Sequence, residues 1–290
     1  MISRAPVYRG YTQAELDIQY NQAALVPELA PYVAHWAEAT EAAQRRLTCE
    51  RDIAYGSSER ELLDVYRPAK PGSPVVINVH GGAWRLLSKD QSGFGAVPMV
   101  EAGAGFVALG FELVESVGLV EMVRQVRAGV AWVYRHGAEY GLDPKRIYLH
   151  GFSSGAHLAA CVLADGWRAE AGLPEDLIKG AVLASGPYDL EPVLLSARSS
   201  YLNLNPAEAP AINPMLHIPT KGPPAFFAWG SGEHTEFRRQ SVDFAAAWQA
   251  AGNVCETQEL VGLNHFDVCN TFGEPNSAFC RAALAQMEIE

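Results

Sequence analysis

A serine, a histidine and a carboxylate, far apart in the chain, have the residue types and local settings for nucleophilic catalysis. Ser153 is the centre of Gly151-Phe152-Ser153-Ser154-Gly155, entered from the β-rich run "RIYLH" and left through the small-residue run "SGAHLAA". A sharp strand-to-helix turn needs small residues at 151 and 155, because bulk there meets the neighbouring strand and helix. Such a turn lifts the central hydroxyl above a sheet and sets it near a helix N-terminus, where negative charge is favoured. A serine is a weak nucleophile until a base takes its proton, and the developing oxyanion needs donors. Donors are expected from Gly81 and Gly82 of "VHGGAW", which follows an apolar run, and from the N–H of Ser154. His80 reads as a hydrogen bonder that shapes this loop.

The base is sought among eight histidines. His35 and His136 belong to helices, and His217 lies in a proline-flanked loop. His150 and His157 flank the serine turn, along the strand and behind the helix, and read as structural. Of His234 and His265, the second lies in "GLNHFDV" after the last apolar run, where a loop can reach back over the sheet. It is the expected base, in the chain order serine, acid, histidine. The acid then falls between them. Thr235 reads as a helix N-cap, which accounts for Glu236 in the first turn through the helix dipole alone. Glu233, in the loop before that cap, is the preferred acid, and Asp189 in "SGPYDL" is the alternative.

These residues need a scaffold, and from about residue 50 the chain alternates apolar runs with helical periodicity. "RDIAYG" and "LLDVYRP" read as an antiparallel pair. "PVVINVH" (74–80), "GFVALGFEL" (105–113), "RIYLH" (146–150), "GAVLAS" (180–185), "PAFFAWG" (224–230) and "VCETQELV" (254–261) read as further strands. Leu119, Met122, Val123, Val126, Val130 and Val133 fall at helical spacing, so a helix is expected over 118–138. Others are expected from Ser154, from Glu236 to about Ala251 and from about 275. Residues 13–47 read as one or two helices interrupted near Pro27 and Pro31, a cap-like segment beside the pocket. Alternation of this kind makes a mostly parallel sheet covered on both faces, with ligands at the strands' C-terminal ends.

Composition narrows the function further. With 290 residues, 49% hydrophobic and 19% charged, the chain can bury a sizeable core. A net charge of -11 opposes nucleic acid or an anionic membrane as partner. The N-terminus shows no apolar signal region, and no apolar run approaches the roughly 18 residues of a membrane span. Five scattered cysteines give neither zinc spacing nor a disulfide framework, so a reducing, cytoplasmic setting is expected. The glycines of "EAGAGFVA" precede a strand where a dinucleotide fingerprint would follow one.

The motifs together resemble the α/β-hydrolase superfamily and, within it, the kynurenine formamidase (arylformamidase) group. The resemblance rests on His80-Gly81-Gly82-Ala83-Trp84 with Lys89 and Ser92, on the serine turn, and on "SGPYDLEP", "EFRRQS" (236–241) and "NHFDV" (264–268). It extends to the leader segments "ELDIQYN" and "VPELAPYVAHW" and so spans nearly the whole chain. It implies a single α/β-hydrolase domain over 1–290, with an N-terminal helical segment (1–48) on a hydrolase core (49–290). It implies hydrolysis of an N-formyl arylamine such as N-formylkynurenine, through a Ser-His-Glu triad, without metal or cofactor. In that group the acid lies three residues before the glutamate of the Glu-Phe pair, which falls on Glu233. The partner is then a small-molecule amide or ester, and a homodimer is compatible with such a chain. Trp84, Phe152 and Tyr188 are expected to line an aromatic-tolerant pocket, with core packing as the other reading. Phe152 replaces a histidine common in the group. Glu112, near a strand end, is expected to bind a substrate amine or, preferably, to pair with a neighbouring base. The same constellation suits a general carboxylesterase, and a hydrolase fold without catalysis would be a binding protein.

Overall fold

The continuous apolar runs form strands because both faces of the sheet are covered. The computed structural model describes residues 5–202 and 204–289. Its strands are β1 (Cys49–Ala54), β2 (Leu62–Tyr66), β3 (Ser73–Val79), β4 (Gly105–Leu109), β5 (Leu142–Phe152), β6 (Ile178–Ala184), β7 (Ala225–Gly230) and β8 (Cys255–Leu260). They form one sheet in the order β1-β2-β4-β3-β5-β6-β7-β8. β1 and β2 are antiparallel to each other, β2 is antiparallel to β4, and the other pairings are parallel. On β4, Val107 and Leu109 join the core on one face, and Phe106 and Ala108 join that on the other. Side chains alternate across a strand, so a strand buried on both faces shows no polar alternation.

The helices are α1 (Gln13–Gln19), α2 (Ala30–Arg46), α3 (Ala96–Glu101), α4 (Val114–Val117), α5 (Leu119–His136), α6 (Ser154–Leu163), α7 (Trp167–Glu170), α8 (Leu190–Leu195), α9 (Ser199–Leu202), α10 (Thr235–Ala250), α11 (His265–Asn270) and α12 (Ala278–Gln286). Val126 and Val130 of α5, Leu158 of α6 and Phe244 and Trp248 of α10 belong to one core. Trp36 of α2, Met99 of α3 and Phe279 of α12 belong to the opposite one. Among the boundaries that differ from expectation, three have a clear physical reason. The strand expected over 105–113 ends at Leu109, because the following segment leaves the sheet toward α4. Thr235 is the first residue of α10, and its N-cap is His234, without a side-chain cap bond. Pro31 lies inside the first turn of α2, where a missing N–H costs nothing, so only the Pro27 region interrupts the N-terminal helices.

No helix among the described residues is long and apolar enough to cross a membrane. The N-terminal helices are tied to the C-terminal end of the sheet by side chains. Tyr32 donates to Asp267 Oδ1 at 2.9 Å, and Trp36 Nε1 donates to Asn270 Oδ1 at 2.7 Å. Both acceptors belong to α11.

Candidate active site

β5 ends at Phe152, and α6 begins at Ser154, so Ser153 is the whole turn between them. Its backbone sits at φ 54°, ψ -126°, a conformation that a non-glycine residue holds only when its surroundings enforce it. Here the enforcement comes from the Ser153 N–H, which donates to Ala184 O at 2.8 Å, and from the packing of the turn's glycines. A Cβ on Gly155 would overlap the carbonyl oxygens of Val79 and His80, and one on Gly151 would lie 2.8 Å from Ala156 Cα. α6 therefore packs directly on the end of β3.

The Ser153 hydroxyl lies 2.9 Å from His265 Nε2, within hydrogen-bond distance. His265 is the first residue of α11, whereas the sequence suggests a loop. Asn264 caps that helix, its side chain accepting from the N–H groups of Phe266 and Asp267. The helix start fixes the ring, which is buried among Phe152, Phe237 and Phe266 with centroids 4.7, 5.2 and 5.4 Å away.

Glu233 is the carboxylate beside this imidazole, with Oε1 at 3.6 Å from His265 Nδ1. That is ion-pair range and longer than a hydrogen bond. Oε1 accepts instead from Ser185 Oγ at 2.5 Å and from the Gly230 N–H at 3.1 Å. Glu233 Oε2 and His265 Nδ1 are buried without hydrogen-bond partners. Contacts of this kind are often long before substrate binds and tighten afterwards. The other two acids are engaged elsewhere. Asp189 caps α8, accepting from the Glu191 N–H at 3.1 Å, and also accepts from Asn213 Nδ2 at 3.3 Å. Glu236 pairs with Arg239 and lies under the Tyr20 hydroxyl.

The loop after β3 supplies N–H groups. Gly82 has φ 113°, and a Cβ there would overlap the Leu86 carbonyl, so only glycine fits. Ala83 and Trp84 follow at φ 54° and 63°. Among the described residues, the N–H groups of Gly82, Ala83 and Ser154 donate to no protein acceptor. Gly81 packs against Ser153 Cβ. His80 holds the loop through Nδ1, 2.8 Å from Gly81 O, and its ring stacks on Phe111 at 4.2 Å. Burial lowers its pKa to about 4, so it is neutral at neutral pH.

Ser153 and His265 open into a cavity of about 500 Å³. Leu29, Val33 and Trp36 from the N-terminal segment line it together with Leu86, Leu87 and Phe152. Three expected pocket residues are not there. Trp84 is buried in the core, its Nε1–H donating to His157 Nδ1 at 3.2 Å. Tyr188 is also buried, stacked on Phe244 at 4.2 Å. Glu112 lies outside the cavity lining and accepts the Arg60 backbone N–H at 3.2 Å, and among the described residues it forms no ion pair with a basic side chain. Aromatic type alone does not separate a core position from a cavity wall, which is why Phe152 lies at the cavity and the other two rings do not. Sequence reading missed Arg198, Tyr201 and Ser185. Their positions depend on contacts between distant segments, for which the chain carries no local pattern.

The BD-FAE family model matches residues 63–248, from β2 through most of α10. Kynurenine formamidase from Danio rerio is 33% identical over 96% of this chain and 97% of its own length. Kynurenine formamidase from Salmo salar is 36% identical over 80% of this chain and 79% of its own. Among solved structures, a protein named as a thioesterase candidate, from silicibacter sp. tm1040, superposes with a TM-score of 0.81 at 24% identity. It covers 92% of this chain and 98% of that one, a likeness of fold.

Proposed function

This chain belongs to the kynurenine formamidase family of α/β-hydrolases and hydrolyses amide or ester bonds, and from that premise we propose that its substrate is an N-formyl arylamine such as N-formylkynurenine. In this reading Ser153 Oγ attacks the formyl carbon while His265 Nε2 takes its proton. Glu233 orients the ring through Nδ1 and stabilises the imidazolium. The oxyanion is received by the N–H groups of Gly82 and Ser154, with Gly81 and Ala83 shaping the same loop. Each such donor typically contributes about 2.7–4 kcal/mol to the transition state. The C–N bond then breaks, His265 returns the proton to the departing arylamine, and Ser153 carries the formyl group as an ester. Water, deprotonated by His265, attacks that ester and releases formate.

The observation that carries this reading is the 2.9 Å Ser153–His265 contact at the floor of a mainly apolar cavity wide enough for an aryl ring. The setting we propose is cytoplasmic, on five cysteines that are all free thiols. Steady-state turnover of N-formylkynurenine and of a short p-nitrophenyl ester tests the substrate. Faster turnover of the formamide supports the reading, and hydrolysis of the ester alone reassigns the protein to the carboxylesterases. Ser153→Ala is expected to lower turnover by about a thousandfold or more and to abolish labelling by a fluorophosphonate. Retained turnover in that variant removes the serine from the mechanism.

A further inference from the structure

Two arginines line the cavity, and they differ in how their charge is met. Arg85 Nη2 pairs with Glu115 at 2.7 Å. Arg198, just before α9, has no carboxylate within ion-pair distance among the described residues, although the chain holds 33 aspartates and glutamates. Its Nε and Nη2 both donate to one carbonyl, Tyr20 O, at 3.0 and 2.8 Å. Those bonds fix the guanidinium plane. Among the described residues the remaining nitrogen, Nη1, is buried without an acceptor in hydrogen-bond geometry, and the Tyr201 hydroxyl is the polar side-chain group near the guanidinium. The rings of Tyr20, Trp84 and Phe237 flank the guanidinium at 5.9, 5.8 and 5.5 Å from Cζ, which stabilises the cation but supplies no acceptor.

Anchoring the Tyr20 carbonyl needs only two of the three nitrogens. The third nitrogen is left over for a ligand, and a buried donor without an acceptor is costly until one meets it. The donor also lies at a useful place. Phe237 neighbours both groups, with its ring centroid 5.5 Å from Arg198 Cζ and 5.2 Å from the His265 ring, so one side chain links the guanidinium to the imidazole. Tyr201 lines the same cavity, and its hydroxyl is within the electrostatic reach of Arg198 and Arg85. Asp17 is the acidic residue of the lining, and its Oδ1 is engaged by Gln13 Nε2 and the Ala197 N–H. With a net charge of -11 the molecule's overall field does not draw anions, so a negative group can be held only by a local cation.

We propose that Arg198 is a specificity-determining residue that receives a carboxylate on the substrate, so that the site prefers acylated arylamines whose side chain carries a carboxylate over the same compounds with a carboxamide in its place. The proposal rests on the hydrolase reading above and adds the class of side chain that the cavity selects. Ser153, Arg198 and Tyr201 line the same cavity as Trp36 and Leu86, so a substrate bonded at Ser153 has the arginine within the same enclosure.

The test compares kcat/KM for N-formylkynurenine with that for its carboxamide, in the unaltered protein and in Arg198→Met and Arg198→Lys. A charged hydrogen-bond partner predicts a preference for the acid of about tenfold or more in the unaltered protein. The preference should fall to about one in Arg198→Met and be partly kept in Arg198→Lys. A ratio near one in the unaltered protein, or one that survives in Arg198→Met, overturns the proposal. Because Arg198 also anchors Tyr20, a second measurement needs no variant. Phenylbutyrate should inhibit hydrolysis of a neutral p-nitrophenyl ester about tenfold more strongly than phenylbutyramide. Equal inhibition overturns the role of Arg198. A protein that hydrolyses only the ester loses the formamide reading, while the inhibitor pair still decides on the arginine.

Discussion

On the proposed mechanism, the Ser185 hydroxyl governs a reaction it never touches, through Glu233. Ser185 follows β6, is buried, and holds φ 53°, which turns its Oγ onto Glu233 Oε1. Its removal leaves that oxygen with only the Gly230 N–H. Ser185→Ala is therefore expected to lower kcat by about ten- to a hundredfold, matching the roughly 1.5–3 kcal/mol of a hydrogen bond to a charged group. KM should be little changed, because Ser185 does not line the cavity. Separate determination of kcat and KM checks this, and a loss confined to KM contradicts it. Nothing in "LASGPYDL" marks Ser185 in advance, since its role requires the ends of β6 and β7 to lie side by side. The placement of Ser153 in a strand-to-helix turn and of Glu233 just before a helix was legible because the surroundings are local: glycines around one, a helix start just after the other. Trp84 and Tyr188 were misread for the opposite reason, as burial is decided by segments that the local sequence does not mention. Trp84→Phe should cost about 1–3 kcal/mol in chemical denaturation, because His157 Nδ1 then loses its donor in a dry core.

At the scale of elements, the junction of β5 and α6 has no slack. Gly155→Ala must push α6 away from the end of β3, and a loss of about 3 kcal/mol or more is expected, measured by urea unfolding. Wild-type stability in that variant would mean that the helix can shift without consequence. The other decisive element is α11, a single short helix that starts on His265. It was not legible, because six residues are too few for a periodic pattern, and only the capping pair Asn264 and Asp267 announces it. Its position also depends on α2. Tyr32 reaches Asp267 from more than two hundred residues away in sequence, and its ring packs on Phe266 at 5.4 Å. The strands, by contrast, were legible almost throughout, since burial on both faces writes a continuous apolar run into each parallel strand.

Over the whole molecule, three buried histidines tie folding to pH. Burial lowers His80 and His157 from 6.5 to about 4, and His150 to about 3. The folded protein thus excludes protons that the unfolded chain takes up below its own value of 6.5. The stability they contribute is complete above that pH and is lost as pH falls toward 4. Each histidine adds a slope on the order of 1.4 kcal/mol per pH unit, so unfolding free energy should drop by roughly 3–4 kcal/mol between pH 6 and 5. Urea titrations at the two values check the drop, and His150→Leu should remove about a third of it. The same breadth of view applies to the cavity, whose walls come from separate stretches of chain. The residues proposed to react lie at 81–83, 153, 233 and 265, whereas much of the cavity lining comes from 17–36 and 197–201. On the proposed mechanism, bond cleavage and ligand choice are written in different parts of the gene product. Exchanging or diversifying the second set would retarget the catalyst to new acyl compounds while its bond-breaking core stays as it is.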